Sequence, residues 1–217
     1  MKSFSIYNYL FRFLAPTRPP LFFFLSVAFI FLCGHSWLHA TKVTAPDAAA
    51  SDHFGRSVSQ SGNMLAVGAY QSDPGGTSDA GAAYLFQLEA NGSASYLTKV
   101  IAPDANVSDF FGRRISLSGN ILAVGAYAAD TGGASDAGAA YLFQLEANGS
   151  ASYLTKVIAP DANSSDYFGY SVSQSGNILA VGAYQADFGG TTNAGAAYLF
   201  QLEANGSASY LTKVTAP

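Results

Sequence analysis

The side chains of this 217-residue sequence that could bind a metal or transfer protons include acidic residues that recur at regular positions. Pairs of carboxylate or amide residues stand six positions apart in three glycine-containing segments: Asp73 with Asp79, Asp130 with Asp136, and Asp187 with Asn193. Carboxylate oxygens clustered in a loop are the ligands that a hard cation such as calcium prefers. Aspartate and glycine are also what ordinary long turns use, and the third pair has lost one carboxylate. Turn formation is therefore the favoured interpretation, and no metal site or cofactor is predicted.

Other titratable residues stand just before three Phe-Gly pairs. The aspartates found two residues before each phenylalanine are Asp52, Asp109 and Asp166. They are predicted to accept backbone hydrogen bonds that hold a turn, because a catalytic acid pair needs two carboxylates in distinct environments. The position between aspartate and phenylalanine differs between copies and holds His53, Phe110 and Tyr167. A role in packing or at a surface rim is favoured there over proton transfer.

Five Asn-x-Ser sequons are present, at Asn91, Asn106, Asn148, Asn163 and Asn205. An exposed sequon is an acceptor for N-glycosylation in a eukaryotic secretory pathway. Three of the five belong to an Asn-Gly pair, for which turn formation is a sufficient explanation. All five are candidate glycosylation sites.

Composition excludes several kinds of site. After residue 40 the chain has no cysteine, no tryptophan and a single histidine. Catalytic Cys–His pairs, zinc sites built from Cys or His, and disulfides therefore have no residues to form them in that region. The same region has seven basic and fourteen acidic residues, a formal charge of −7. This charge argues against a nucleic-acid partner, because phosphate binding needs a basic surface.

The first 40 residues differ in composition from the rest. Lys2, Arg12 and Arg18 precede a 12-residue apolar run, Leu21 to Leu32. A signal peptide needs an apolar core of about 7–15 residues, whereas a transmembrane helix needs roughly 20. We therefore expect residues 1–40 to be an export signal, with an uncleaved membrane anchor as the alternative. Both interpretations predict a secreted or cell-surface protein.

Residues 41–217 form an internal repeat. The 21 residues Ala80 to Val100 recur unchanged at Ala137 to Val157 and at Ala194 to Val214, with a period of 57 residues. Such a period is typical of solenoids, propellers and arrays, in which copies of one supersecondary unit stack on each other.

Each unit has the pattern of four short strands. Apolar runs rich in Val, Leu, Tyr and Phe are separated by clusters of Gly, Asn, Ser, Asp and Pro. The strands predicted in the first unit are Arg56–Gln60, Met64–Ala69, Gly81–Leu88 and Ser95–Ile101. The second strand has small apolar residues and the fourth is polar, as in a propeller blade with crowded inner strands.

We therefore predict an all-β fold, a β-propeller-type repeat of three four-stranded antiparallel blades. The blades are predicted at about 54–102, 111–159 and 168–216, and they form an open arc or partial propeller after the N-terminal hydrophobic leader.

The Phe-Gly pairs keep one register with a Val-Gly-Ala triplet in all three copies. These motifs stand at 54–55 with 67–69, 111–112 with 124–126, and 168–169 with 181–183. The unit resembles the FG-GAP repeat, the blade of the integrin α-subunit propeller, and the resemblance covers the chain after residue 40. It implies an exported or cell-surface propeller segment that acts as an adhesion or ligand-binding module. Its ligand is expected to be an unknown protein or carbohydrate.

Two features depart from that family. Its calcium-binding blades have an Asp/Asn-rich loop between strands one and two, and here the four-residue turn Gln60 to Asn63 takes that place. Calcium takes about six to eight oxygen ligands, more than such a turn supplies, so folding is expected to be independent of calcium. Three blades are also too few to close a ring of the usual four to eight or so.

Strand order predicts which loops share a face. Because strands of a meander alternate in direction, loops between strands two and three lie on the same side as the linkers between blades. Differences between copies collect there and in strand one, for example at positions 74, 131 and 188. Recent duplication with drift explains this pattern, and a ligand face diversified loop by loop is the alternative. The candidate ligand-face residues are Asp73, Asp79, Asp130, Asp136, Asp187, Asn193, His53, Phe110 and Tyr167.

Two further functions stay open. One is an accessory or catalytic propeller of a carbohydrate- or phospholipid-acting enzyme, and the other is a structural fragment of a longer repeat protein. Because no non-repeating cluster of His, Glu, Asp or Arg is visible, no enzyme activity is predicted. The segment Thr41–Ala45 matches the end of a fourth strand and is predicted to be an isolated strand.

The end blades are expected to expose apolar faces. The residues predicted to form them are Leu65, Val67, Tyr84 and Phe86 in the first blade, and Leu179, Val181, Tyr198 and Phe200 in the last. Uncovered apolar faces favour association, and faces of different kinds associate head to tail. A homo-oligomer through the end blades is therefore predicted, with membrane contact only through an uncleaved leader.

Overall fold

A computed structural model describes residues 42–217, and the expectations for residues 1–40 lie outside this range. The described chain has twelve strands in three antiparallel sheets of four. The first sheet consists of β1 (Ser57–Ser61), β2 (Met64–Ala69), β3 (Ala82–Leu88) and β4 (Ala94–Val100). The second consists of β5 (Arg114–Ser118), β6 (Ile121–Ala126), β7 (Ala139–Leu145) and β8 (Ala151–Val157). The third consists of β9 (Phe168–Ser175), β10 (Ile178–Ala183), β11 (Ala196–Leu202) and β12 (Ala208–Val214).

Strands pair in chain order within each sheet, so each repeat is a meander with β1, β5 or β9 at its inner edge. The inner strands contact one another from β1 to β5 and from β5 to β9, which leaves a partial propeller that is not closed. The predicted all-β fold of three four-stranded blades is confirmed, and strand bounds predicted in the first repeat differ from the observed ones by no more than one residue. Among residues 42–217, no helix has the length and apolar character needed to cross a membrane.

Turns join the strands where the sequence predicts them. Only Gly62 and Asn63 connect β1 to β2, and Gly62 has a φ of 58°, which glycine adopts at no steric cost. In the β3–β4 turn the Gly92 N–H donates to the Glu89 carbonyl at 2.9 Å. The β2–β3 connection is longer, and in the first repeat it contains the three-residue 3-10 turn Pro74–Gly76.

Residues 42–45 do not form the isolated strand predicted from the sequence. A strand needs a hydrogen-bonded neighbour, and no strand of the described chain pairs with this segment. Its side chains still pack, because Ala45 is buried and Val43 is half-buried in the cluster that contains Val67 and Tyr84. The segment therefore covers the first repeat as the end of a fourth strand would, but it does not extend a sheet.

Strand alternation divides each sheet into two apolar faces. In the first sheet the face that we call the alanine face has Ala66, Ala83 and Leu85, and the face that we call the aromatic face has Val67, Tyr84 and Phe86. The predicted separation of Tyr84 and Phe86 from Ala83 and Leu85 is confirmed. Each sheet can therefore bury apolar side chains on both sides.

The core lies between neighbouring repeats. The alanine face of one sheet packs on the aromatic face of the next, so Leu85 shares a cluster with Tyr141, and Leu142 shares one with Tyr198. Phe111 is fully buried at the first of these interfaces and contacts the ring of Tyr141 edge-on, at 5.6 Å between centroids. The Phe-Gly pairs are thus part of the packing between repeats.

The end face of the third repeat is formed by other residues than those predicted from the sequence. In the third repeat Leu179, Val181, Tyr198 and Phe200 are each at most 3% exposed, because the second repeat covers them. The uncovered surface is the opposite, alanine face, where Val214 is 52% exposed. The aromatic face of each repeat points towards the preceding repeat, and strand alternation alone does not define this direction.

In the first repeat the predicted residues do lie on the end face, because the opposite face packs on the second repeat. Val67, Tyr84 and Phe86 are nevertheless at most 3% exposed, and the segment 42–45 packs against them. Leu65 is half-buried. Exposure at this end is concentrated on the inner strand, where Val58 is 63% exposed and its equivalent Ile115 in β5 is 7% exposed. The inner strand of the first repeat therefore lacks the cover that β5 receives from β1.

Candidate functional site

We use the name loop face for the side formed by the β2–β3 loops (70–81, 127–138 and 184–195) and the linkers (46–56, 103–113 and 160–170). Backbone hydrogen bonds join the two kinds of segment. The Phe110 N–H donates to the Asp79 carbonyl at 3.1 Å, and the Tyr167 N–H donates to the Asp136 carbonyl at 3.2 Å. The prediction that loops and linkers share one face is confirmed.

The paired aspartates hydrogen-bond within their own loops. The Asp73 carboxylate accepts a bond from the Asp79 backbone N–H at 2.8 Å. Equivalent bonds join Asp130 to Asp136 at 2.9 Å and Asp187 to Asn193 at 2.8 Å. The donor residue has a φ of 52–54° in each loop, a conformation that both aspartate and asparagine tolerate, which explains why Asn193 can replace aspartate. Within residues 42–217 no group of three or more His, Cys, Asp or Glu side chains is placed to hold a metal ion.

The second set of aspartates holds the linker turns. The Asp109 carboxylate accepts a bond from the Asn106 backbone N–H at 2.8 Å. Equivalent bonds run from Ala49 to Asp52 at 2.8 Å and from Asn163 to Asp166 at 2.9 Å. These bonds confirm the turn-holding role predicted from the sequence. Burial raises the pKa of Asp109 and of Asp166, and the backbone hydrogen bonds only partly oppose it.

Each linker is attached to the repeat that follows it by an Asp–Tyr–Lys set that we call a linker latch. Asp104 accepts a hydrogen bond from the Tyr141 hydroxyl at 2.8 Å and another from the Lys156 ammonium, also at 2.8 Å. Tyr141 is 1% exposed, so this carboxylate satisfies a buried hydroxyl. The other two latches are Asp47 with Tyr84 and Lys99, and Asp161 with Tyr198 and Lys213.

The latches shift the pKa values of their members. Burial alone raises the pKa of Asp104, but hydrogen bonds from Lys156 and Tyr141 outweigh burial and hold that pKa below its usual range. Burial is the main cause that raises the pKa of Tyr141, and it raises the pKa of Tyr198 to about 12. The carboxylates are therefore charged and the hydroxyls neutral at pH 7, the state in which each hydroxyl donates.

Six aromatic side chains form a continuous aromatic row along the loop face. In order they are His53, Tyr70, Phe110, Tyr127, Tyr167 and Tyr184, and neighbouring ring centroids are 5.3–5.8 Å apart. Linker rings alternate with the tyrosines that follow β2, β6 and β10, so Phe110 and Tyr167 each lie between two repeats. Ring pairs at these distances stabilise packing beyond the area that they bury.

The linker rings have an unusual backbone conformation. His53, Phe110 and Tyr167 have φ values of 54–56°, in the left-handed region that aromatic residues seldom occupy. For Phe110 and Tyr167 the N–H bonds to the preceding β2–β3 loop maintain this conformation. Such conformations persist where the surrounding structure over-determines them, and they cluster at functional sites.

Arg113 lies against the middle of the aromatic row. Its guanidinium carbon is 4.6 Å from the ring centroid of Tyr170 and 4.9 Å from that of Tyr127. One guanidinium nitrogen donates to the Tyr170 hydroxyl at 2.8 Å, whereas the buried Nε has no hydrogen-bond partner within the described residues. Enclosure by rings stabilises the cation. The site thus brings tyrosine hydroxyls, aromatic rings and the Arg113 cation together, and these groups are suited to binding a ligand that has both apolar and polar surface.

The aromatic row unites three residues singled out from the sequence, His53, Phe110 and Tyr167. Sequence reasoning missed the tyrosines at 70, 127 and 184 and the cation Arg113. Two signals were present: an aromatic residue follows every Val-Gly-Ala triplet, and strand one differs between copies at positions 56, 113 and 170. The side chains of the paired aspartates hold their own loops. Asp79 and Asp136 are joined to the row only through their backbone carbonyls, which accept the N–H bonds of Phe110 and Tyr167.

All five sequon asparagines are exposed. In the first Asn-Gly turn the Asn91 side-chain oxygen accepts bonds from the Ser93 backbone N–H at 2.9 Å and the Ser93 hydroxyl at 2.7 Å, and Asn148 and Asn205 make equivalent bonds. Asn106 and Asn163 donate to linker carbonyls at 2.9 Å. Turn formation accounts for these contacts, and glycosylation stays a prediction.

Two equivalent clefts lie on the side opposite the loop face. A cleft of about 540 Å³ between the first two repeats is lined by Asn63, Gln87 and Glu146, among others. Another of about 530 Å³ between the last two repeats is lined by residues that include Asn120 and Gln201. Sequence analysis missed these clefts because each is formed by two neighbouring repeats.

Three four-stranded meanders packed face to face, with a Phe-Gly phenylalanine buried at each internal interface, define a propeller-type repeat protein. The family model described as FG-GAP repeat matches residues 37–86, 95–143 and 152–200. The chain belongs to the FG-GAP repeat family.

Three solved structures match part of this chain. A crystal structure of a protein from Lactobacillus plantarum matches with a TM-score of 0.50 and 15% identity, over 75% of this chain and 42% of that chain. A hypothetical selenium-binding protein from Sulfolobus tokodaii matches with a TM-score of 0.43 and 10% identity, over 70% of this chain and 38% of that one. The computationally designed Ika4 protein matches with a TM-score of 0.43 and 10% identity, over 79% and 97%.

This chain spans about two fifths of the length of the two natural proteins that it matches in structure. No curated protein matches its sequence significantly.

Proposed function

We propose that this FG-GAP repeat chain is an exported ligand-binding or adhesion module, and that its loop face is the binding surface. The observation that carries the proposal is the aromatic row around Arg113. Its linker rings and the position of Arg113 differ between repeats, whereas its three tyrosines and the 21-residue stretch through β3 and β4 are invariant. Variation concentrated on the loops of a constant scaffold is typical of recognition surfaces. Export is supported by the apolar run at residues 21–32.

The loop face offers the chemistry that recognition uses. Tyr184 and Phe188 are each 47% exposed, and His53 is exposed at the start of the aromatic row. Aromatic side chains with polar tips combine apolar contact with hydrogen bonding, and they are enriched among residues that dominate binding. The ligand class is therefore a glycan or a protein segment that presents both apolar and polar surface.

Binding of the purified chain to a glycan array and to immobilised fibronectin and collagen tests the proposal. We expect a ligand whose binding weakens at least about tenfold in Tyr184→Ala and in Phe188→Ala, because interface aromatics commonly contribute more than about 1 kcal/mol. Gln144→Ala is the matched control, since this side chain lines the clefts on the opposite side. Binding that is lost in Gln144→Ala and kept in both loop-face variants would contradict the proposal.

A further inference from the structure

The two interfaces between repeats share one set of backbone hydrogen bonds. At each interface three N–H groups of a linker donate to three consecutive carbonyls of the preceding β2–β3 loop. At the first interface Ser108, Phe110 and Phe111 donate to Ser78, Asp79 and Ala80 at 2.9–3.1 Å. At the second interface Ser165, Tyr167 and Phe168 donate to Ser135, Asp136 and Ala137 at 2.8–3.2 Å.

The equivalent groups at the two ends have no hydrogen-bond partner within residues 42–217. The donors at the first repeat are the N–H groups of Ser51, His53 and Phe54. The acceptors at the third repeat are the carbonyls of Thr192, Asn193 and Ala194. Backbone polar groups in folded proteins are almost always paired, with protein or with water. One end therefore presents three donors and the other presents three acceptors in the matching arrangement.

Serine hydroxyls join the inner strands in a similar way. The backbone N–H groups of Ile115, Leu117 and Gly119 donate to the hydroxyls of Ser57, Ser59 and Ser61 at 2.9–3.1 Å. At the second interface the Gln174 N–H donates to the Ser116 hydroxyl at 2.9 Å. The equivalent serines of the third repeat, all exposed, are Ser171, Ser173 and Ser175. The first repeat has the matching N–H groups at Val58, Gln60 and Gly62, which have no serine partner in the described chain.

The apolar surfaces of the two ends are complementary as well. Val100 and Val157 are 5% and 6% exposed because the next repeat covers them, whereas the equivalent Val214 is 52% exposed. At the other end Val58 is 63% exposed although its equivalent Ile115 is 7% exposed. Val214 at one end and Val58 at the other are therefore exposed counterparts of residues that the internal interfaces bury, whereas Val67, Tyr84 and Phe86 of the first repeat are at most 3% exposed.

Glycines that let the backbone of the next repeat come close show the same difference between the internal interfaces and the open end. A Cβ at Gly68 would overlap the Gly112 carbonyl of the next repeat, and one at Gly125 would overlap the Gly169 carbonyl. A Cβ at the equivalent Gly182 would overlap only the hydroxyl of Ser171, a side chain of its own repeat that can rotate away. Gly182 thus keeps the open backbone that an adjoining repeat needs.

We propose that a second copy of this chain docks head to tail, with its first repeat on the alanine face of the third repeat. The internal interfaces supply the template for the backbone and serine contacts. The three linker N–H groups of the second copy bind the carbonyls at 192–194, which have no partner within residues 42–217, and its β1 binds the serines of β9. His53 of the second copy then follows Tyr184 and continues the aromatic row.

The sequence also accommodates the overlap at the outer edge of such a contact. Residues 41–46 and 212–217 have the same sequence, TKVTAP. Ala45 covers the first repeat as Ala102 covers the second, so the last residues of a docked copy meet the segment 42–46. Residues 42–45 have no strand partner in the described chain, and residues 215–217 follow the end of β12 at Val214. Either segment can therefore move aside without breaking the pairing of a sheet. The incoming segment then replaces each contact with one made by an identical residue.

Light scattering of the full chain between about 1 and 100 µM tests the proposal, because association depends on protomer concentration. We expect the average mass to rise to two copies or more. Val58→Lys at the first repeat and Gly182→Ala at the third are each expected to weaken self-association at least about 30-fold, as residues central to an interface do. Val107→Lys is the matched control, because Val107 is 66% exposed in a linker.

Mixing the two end variants tests the direction of the contact. Val58→Lys keeps an intact third repeat and Gly182→Ala keeps an intact first repeat, so their mixture is expected to form complexes that stop at two copies. Leu199→Lys, on the same alanine face, is a second variant that must behave as Gly182→Ala does. A wild-type chain that stays monomeric at about 100 µM, or a mixture that stays monomeric although the wild type associates, would overturn the proposal.

Discussion

The position of Arg113 shows how one substitution between repeats makes the two interfaces differ. The equivalent positions hold Arg56 and Tyr170, and the Arg113 guanidinium lies against the Tyr170 ring and donates a hydrogen bond to its hydroxyl across the interface. A cation enclosed by rings loses hydration, and cation–π attraction offsets part of that cost. The substitution pattern at this position therefore creates a contact that exists once in the described chain, among scaffold contacts that recur.

The Asp104 latch predicts a pH dependence of defined sign. Its lowered pKa means that the unfolded chain binds the proton more tightly, so the latch stabilises the fold above the ordinary value of 3.8 and this contribution is lost as pH falls below it. Asp109 has a raised pKa and the opposite sign, with a contribution that is lost as pH rises past 3.8. We expect Asp104→Asn to flatten the loss of melting temperature between about pH 5 and pH 2, and Asp109→Asn to steepen it. If the melting temperature of both variants fell with pH as it does in the wild type, these contributions of Asp104 and Asp109 would be contradicted.

The residues of the site differ in how far the sequence reveals them. The bond between Asp109 and the Asn106 N–H spans three residues, so local turn chemistry was enough to predict it. The aromatic row was not predicted as a unit, because the stacking of Phe110 on Tyr127 and its contact with Tyr70 depend on the rotation between repeats. Sequence periodicity gives the spacing along the chain and leaves that rotation undetermined.

At the scale of strands, β2 and β6 are placed by the glycines that let a neighbouring backbone approach. We expect Gly68→Ala and Gly125→Ala to destabilise the fold by about 1–3 kcal/mol each, because a Cβ there overlaps a carbonyl of the next repeat and the core must shift. Gly182→Ala is the matched control and is expected to change stability by about 0.5 kcal/mol or less in the monomer. Urea unfolding at low protein concentration measures all three.

Equal losses in the three glycine variants would show that the glycines serve their own strands and not the contact between repeats. All three glycines lie within strands and none has a positive φ, so backbone strain from the added side chain does not enter the comparison. The three positions also share one local sequence, Ala-Val-Gly-Ala, which removes differences in strand propensity.

The strands themselves were predictable because their ends carry strong local signals. Gly62 and Asn63 leave only two residues between β1 and β2, which determines the register of that hairpin. The segment 42–45 shows the limit of such signals. It has the sequence of a fourth strand but no neighbour to pair with in the described chain, and strand formation depends on that neighbour.

In the array of repeats as a whole, the sequence does not determine which face of each sheet points towards the preceding repeat. Alternation in β3 correctly separates Tyr84 from Leu85, but nothing in one repeat says which face meets the repeat before and which meets the repeat after. The buried positions of Tyr198 and Leu142 answer this, since both lie in the interface between the second and third repeats. Contacts in such arrays are made only between neighbours, so stability depends on the number of covered faces.

A leucine series isolates the stability that one repeat gives to the next. Leu142 and Leu199 occupy the same position of an identical 21-residue stretch, but Leu142 is fully buried by the third repeat whereas Leu199 is only partly buried on the uncovered alanine face. We expect Leu142→Ala to cost about 2–5 kcal/mol in urea unfolding at low concentration, and Leu199→Ala to cost clearly less. Equal costs would place the stabilisation within each sheet. At concentrations where copies dock head to tail, Leu199 becomes covered, and the difference between the two variants is expected to narrow.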